Sequence, residues 1–131
     1  VVSYIKELIK KYDVKDRVKL FPFFISEKEK LKIFKRSHIV LLPYKLISTS
    51  GVLQDSIKYC RPIVSTVLQE DIESLKIGEF SRENTEEFSY KIEKVVEGYK
   101  QYYSSILSCR NDFFWRNITP KIIEIYSNIS Q

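Results

Sequence analysis

Hydrophobic residues recur along this chain with two alternating periods. Val1, Val2, Ile5, Leu8 and Ile9 fall at helical spacing, with lysines on the opposite face, and predict a helix over residues 1–12. RVKLFPFF, residues 17–24, reads as a strand ending in an aromatic loop. Ser26 and Glu29 form a capping-box signature that opens a second helix reaching about Arg36. HIVLLP, residues 38–43, is apolar without interruption, the pattern of a strand covered on both faces of a parallel sheet. The cycle then repeats: a helix over 51–60, a buried strand over 62–66, a short helix over 70–75 and a brief strand over 77–80. Asn84 and Glu87 mark another helix start, with Phe88, Ile92, Val95 and Val96 on one face. Helices over 101–109 and 112–128 close the chain, the last broken or kinked at Pro120. Strands alternating with helices predict an α/β fold with a mostly parallel sheet, whose ligands sit beyond the carboxyl ends of the strands.

Composition narrows the classes of function. With 131 residues, 44% of them hydrophobic, the chain suits one compact domain, 1–131, in which 101–131 are the C-terminal helices. The net charge of +5 comes from interleaved signs with no concentrated basic recognition helix, so no nucleic-acid partner is expected. Cys60 and Cys109 form no metal-binding spacing and His38, the only histidine, opens an apolar run, so no metal and no cofactor are expected. This cysteine usage and the lack of a signal or membrane-span pattern predict a cytoplasmic setting. The chain starts without Met in mid-pattern, as a fragment of a longer protein would.

The chemistry concentrates at PYKLISTSGVLQDSIKYCRPIVST, residues 43–66. One of only three glycines, Gly51, stands where an apolar run gives way to a polar loop and then a helix. A helix beginning there aims unpaired N–H groups and its positive dipole end at the loop, which favours a bound anion. Ser48, Thr49 and Ser50 add hydroxyls at the rim, and Asp55, one turn on, can reach a sugar hydroxyl beside a phosphate. The plain alternative makes Ser50 an N-cap, Gly51 a turn residue and Asp55 a solvated acid.

The order of these pieces resembles the C-terminal, donor-binding domain of group 1 glycosyltransferases with the GT-B fold. RVKLFPFF, IVLLPY, SGVLQDSIKYCRPIVS and FFWRNITPKIIEIY take the places of that domain's successive motifs, over nearly the whole chain. The resemblance implies a Rossmann-like three-layer domain lacking its first βα elements. The full-length enzyme is then expected to move a sugar from a nucleotide-diphosphate sugar to a glycan or lipid-linked acceptor. The acceptor would be held by a missing N-terminal domain, and this fragment alone is expected to be inactive. Carried over by residue, Ser50, Gly51, Val52 and Leu53 would hold the donor diphosphate and Asp55 its ribose. Phe23, Phe24 and Ile25 are candidates for stacking on the nucleobase, and Lys45 for adding charge to the phosphates. Ile47 stands where the family carries a glutamate that touches the sugar, and Arg61 replaces a glycine. Catalytic residues are not identified.

A noncatalytic nucleotide- or partner-binding module is the rival reading. A receiver domain is set aside, because the strand ends read PFF, LPY and VST rather than acidic. Lys28, Lys32, Lys35 and Arg36 share one face of the second helix. They read either as a solvated face or as a peripheral contact with anionic lipid at the inner membrane face. The apolar tail, residues 112–126, invites a homodimer of the fragment.

Overall fold

A computed structural model describes residues 1–45, 50–82 and 84–129, with only the backbone at Trp115. The chain divides into two compact units, residues 1–33 and residues 34–131.

The first unit opens with α1, Val2–Lys11, where sequence periodicity places it. Its C-terminus is closed by Asp13 in the left-handed region (φ 49°), with Asp13 N–H donating to Lys10 O and Val14 N–H to Ile9 O. Residues 17–24 are in neither strand nor helix, contrary to the strand expected there. A strand exists only through a ladder partner, and Pro22 withdraws one donor from any ladder this segment could join. The capping box forms as read: Glu29 N–H donates to Ser26 Oγ (3.3 Å) and Ser26 N–H to Glu29 Oε2 (3.2 Å). It opens α2, Glu27–Arg36, whose last turn belongs to the second unit.

The second unit is mixed α/β, built on a parallel sheet of β1 (Val40–Leu42), β2 (Ile63–Ser65) and β3 (Gly78–Phe80), in that spatial order. The register aligns Val40 with Ile63 and Ile63 with Gly78. Helices α3, Gly51–Lys58, and α4, Gln69–Leu75, form the two crossovers. A 13-residue α5, Thr85–Glu97, packs on β2 and β3. It is followed by α6 (Tyr99–Cys109), a 3-10 turn (Arg110–Phe113) and α7 (Trp115–Ile129).

The core is one cluster in which Leu42, Leu53, Ile57, Cys60, Ile63, Ile72, Ile77 and Ile106 meet. Every residue of β2 is buried, as the uninterrupted apolar run predicts for a central strand. β1 departs from that expectation. It is an edge strand among the described residues, and Leu41 remains 43% exposed. Val96, assigned to the inner face of α5, is also exposed, whereas Val95 is fully buried. α7 runs through Pro120 without a break, which leaves the kink of the two outcomes expected there. Gly78 is required by the sheet, since a Cβ there would lie 1.9 Å from Ile63 O.

Arg61 closes α2. Its Nε donates to Phe34 O (2.7 Å) and its Nη2 to Lys35 O (3.3 Å), placing a cation on the orphan carbonyls of the last turn.

Candidate functional site

Parallel pairing brings the carboxyl ends of all three strands to one edge of the sheet. The β1 and β2 ends are pinned there: Thr66 N–H donates to Leu42 O, and Thr66 Oγ1 donates to Tyr44 O (2.5 Å). At this edge lies a cleft of about 340 Å³ lined by Tyr44, Lys45, Thr66 and the first turn of α5. Of the residues singled out from sequence, Lys45 lines this cleft. Asn84 caps α5, accepting from the Glu86 and Glu87 N–H groups at 2.9 and 3.0 Å.

α3 starts at the glycine that the sequence pattern marked. Ser50, buried and in an extended conformation (φ −134°, ψ 113°), is its N-cap, and its Oγ accepts the Leu53 N–H at 3.1 Å. A phosphate reaching the Leu53 amide therefore has to displace that cap. The amides of Gly51 and Val52 have no acceptor among the described residues. Gly51 is exposed, its φ lies outside the left-handed region, and a Cβ placed on it meets none of the described residues within 4 Å. Ile47, Ser48 and Thr49 lie outside the described residues.

The other candidates are distributed rather than gathered. Asp55 is half-buried and opens on a cleft of about 460 Å³ between α3 and the C-terminal segment, beside Lys58, Arg110 and Phe114. Ser50 and Leu53 border a smaller cleft of about 190 Å³ against Leu68, Asp71 and Phe113. Phe23 and Ile25 line a shallow cleft within the first unit, with Phe21 edge-on to Phe23 at 6.1 Å, and Phe24 is 92% exposed. Lys45, the head of α3 and Asp55 thus border three different clefts.

One polar cluster was not anticipated. Glu79 on β3 accepts from Lys91 Nζ and Lys94 Nζ, each at 2.8 Å, and from the Tyr102 hydroxyl. Burial acts to raise the Glu79 pKa, but the three donors outweigh it and hold the carboxyl at about 2. Burial and the Glu79 carboxylate both push the Tyr102 phenol up. A carboxylate held this low is not a proton donor near neutrality, and a phenol held this high is not a base. The cluster ties β3 to α5 and α6. Its members are 12 and 23 residues apart, so only the one-turn spacing of Lys91 and Lys94 was visible in sequence.

No family model, curated protein or solved structure matches the chain.

Proposed function

We propose that this chain is the donor-binding part of a glycosyltransferase, a Rossmann-like domain of the GT-B kind that grips a nucleotide-diphosphate sugar at the head of α3. The observation that supports the reading most directly is Gly51. Neither its backbone angles nor the described residues around it require a glycine, whereas a diphosphate resting on the Gly51 and Val52 amides does require the space. The parallel sheet whose strand ends face one edge, with Lys45 on that edge, is compatible with an anionic ligand there. The reading covers donor binding, and assigns neither acceptor binding nor the transfer step to any residue of this chain.

A thermal-shift panel of UDP, GDP, ADP and their sugars tests it, repeated on Gly51→Val. The substitution is expected to change unliganded stability by less than about 1 kcal/mol. One nucleotide at about 100 times its Kd is expected to stabilise the parent by about 2.7 kcal/mol, and the shift is expected to vanish in the variant.

The noncatalytic partner-binding module remains the second reading. The Ser50 cap on Leu53 and the dispersal of the candidate residues over three clefts favour it. No shift with any nucleotide would select it.

A further inference from the structure

The first unit cannot cover its own apolar side chains. None of its 33 residues is buried, as expected of a segment too short to enclose a core. The exposure is concentrated in the loop between α1 and α2, where Phe21, Phe23 and Phe24 are 48%, 63% and 92% exposed, with Val18 at 40%. Pro22 lies between them and removes an amide that a strand partner would use. Large aromatic rings held in water on a polar segment mark a surface that has an occupant.

Charge identifies which occupant. Residues 1–33 hold nine lysines and arginines against five aspartates and glutamates, which is four of the chain's five net positive charges in a quarter of its length. Lys15, Arg17 and Lys19 lead directly into the aromatic loop, and Lys28 and Lys32 follow on α2. Lys32 lines the same shallow cleft as Phe21 and Phe23. Two of the acids near the loop are engaged locally, Glu29 with Ser26 and Glu27 with Lys30 at 2.8 Å, while Asp16 adjoins Arg17 and Glu29 shares the cleft with Lys32. Lys15, Arg17, Lys19 and Lys28 make no ion pair among the described residues, and the Ser26 hydrogen bonds, helped by the Lys32 ammonium, hold the Glu29 carboxyl below its ordinary pKa. Aromatic side chains flanked by basic ones match the two layers of an anionic bilayer surface, rings at the acyl boundary and ammonium groups among the phosphates.

From this we infer that the 17–24 loop and the start of α2 form a docking surface for anionic phospholipid bilayers. Phe23 and Phe24 enter the interface, and Lys19, Lys28 and Lys32 contact the headgroups. No helix among the described residues is long and apolar enough to cross a membrane, so the contact is interfacial. The inference does not depend on the nucleotide-sugar reading, and its test uses no nucleotide.

The experiment is co-sedimentation of the whole chain with vesicles of phosphatidylcholine alone and of phosphatidylcholine mixed with phosphatidylglycerol. Binding is expected only to the mixed vesicles and is expected to fall steeply with added salt. Phe23→Ser combined with Phe24→Ser removes two largely exposed rings, of which Phe23 touches Phe21, so melting should change little while partitioning drops by roughly tenfold or more. Lys19→Glu with Lys28→Glu and Lys32→Glu should abolish it. Phe24→Trp should show a blue-shifted emission component on mixed vesicles, read as the difference from the parent. No binding to mixed vesicles, or binding that the phenylalanine pair leaves unchanged, overturns the inference. So does self-association in light scattering that the same pair abolishes without any vesicle binding, which would make the loop a contact between copies.

Discussion

Three helix ends in this protein are closed by residues that a designer would have made glycine. Asp13, Cys60 and Lys76 each sit in the left-handed region, at φ 49°, 54° and 52°. Each carries the paired hydrogen bonds of a Schellman motif, such as Ile77 N–H to Ile72 O with Lys76 N–H to Glu73 O. The three glycines stand elsewhere, and none has a positive φ. An L-residue in this region costs about 1–2 kcal/mol. The cost can be recovered only where the side chain does nothing else. Cys60 is buried and its Sγ accepts from Arg110 Nη1 at 3.2 Å, so removing it exposes a gap and strands a guanidinium. Lys76 is exposed. Lys76→Gly is therefore expected to raise stability by about 1 kcal/mol, measurable as a higher urea midpoint at unchanged slope.

At the scale of elements, the strongest cross-link is the one formed by Glu79. Its side chain is 12% exposed and bridges β3 to two helices. Because the folded carboxyl titrates near 2 rather than its ordinary 4.5, its contribution is complete above 4.5 and drains as the pH falls towards 2. Urea denaturation between pH 7 and 2 should show a stability loss from this carboxyl of about 3 kcal/mol over that window. Glu79→Gln should be weaker at pH 7 by a comparable amount, about 3 kcal/mol, and should lose that part of the slope. Equal slopes in the two proteins would remove Glu79 as the cause. How far the elements were legible follows from the range of the forces that make them. Helices α2 and α5 could be read from Ser26 and Asn84 because a cap acts over three residues. β2 could be read because burial on a central strand demands uninterrupted apolar side chains, and β1 because its apolar run is local, although that run overstated its burial. Residues 17–24 are also rich in apolar side chains but join no strand, and apart from Pro22 nothing local reports a missing ladder partner. The Glu79 cluster, which joins three elements, was illegible for the same reason. At the candidate site, the helix start at Gly51 and the Ser50 cap were legible. The separation of Asp55 from Lys45 was not, because it depends on which flank of α3 the C-terminal segment covers.

On the scale of the whole molecule, burial is distributed unevenly between the two units. Residues 1–33 contain no buried side chain, whereas Ile63, Val64, Ile72, Ile77, Val95 and Ile106 in the second unit are fully enclosed. Hydrogen exchange should therefore separate them. Amides of the first unit are expected to show protection of only about 1 kcal/mol, and those of β2 should exchange last, at the free energy of global unfolding. Uniform protection along the chain would contradict this division. The sheet's order has a kinetic counterpart. Each strand lies beside the one that precedes it in sequence, joined through a single short helix. Every pairing thus closes a loop of only a few turns, so little chain entropy is surrendered before the contact repays it. Among the described residues no pairing waits on a distant segment, so these three strands can be laid down one after another as the polypeptide leaves the ribosome.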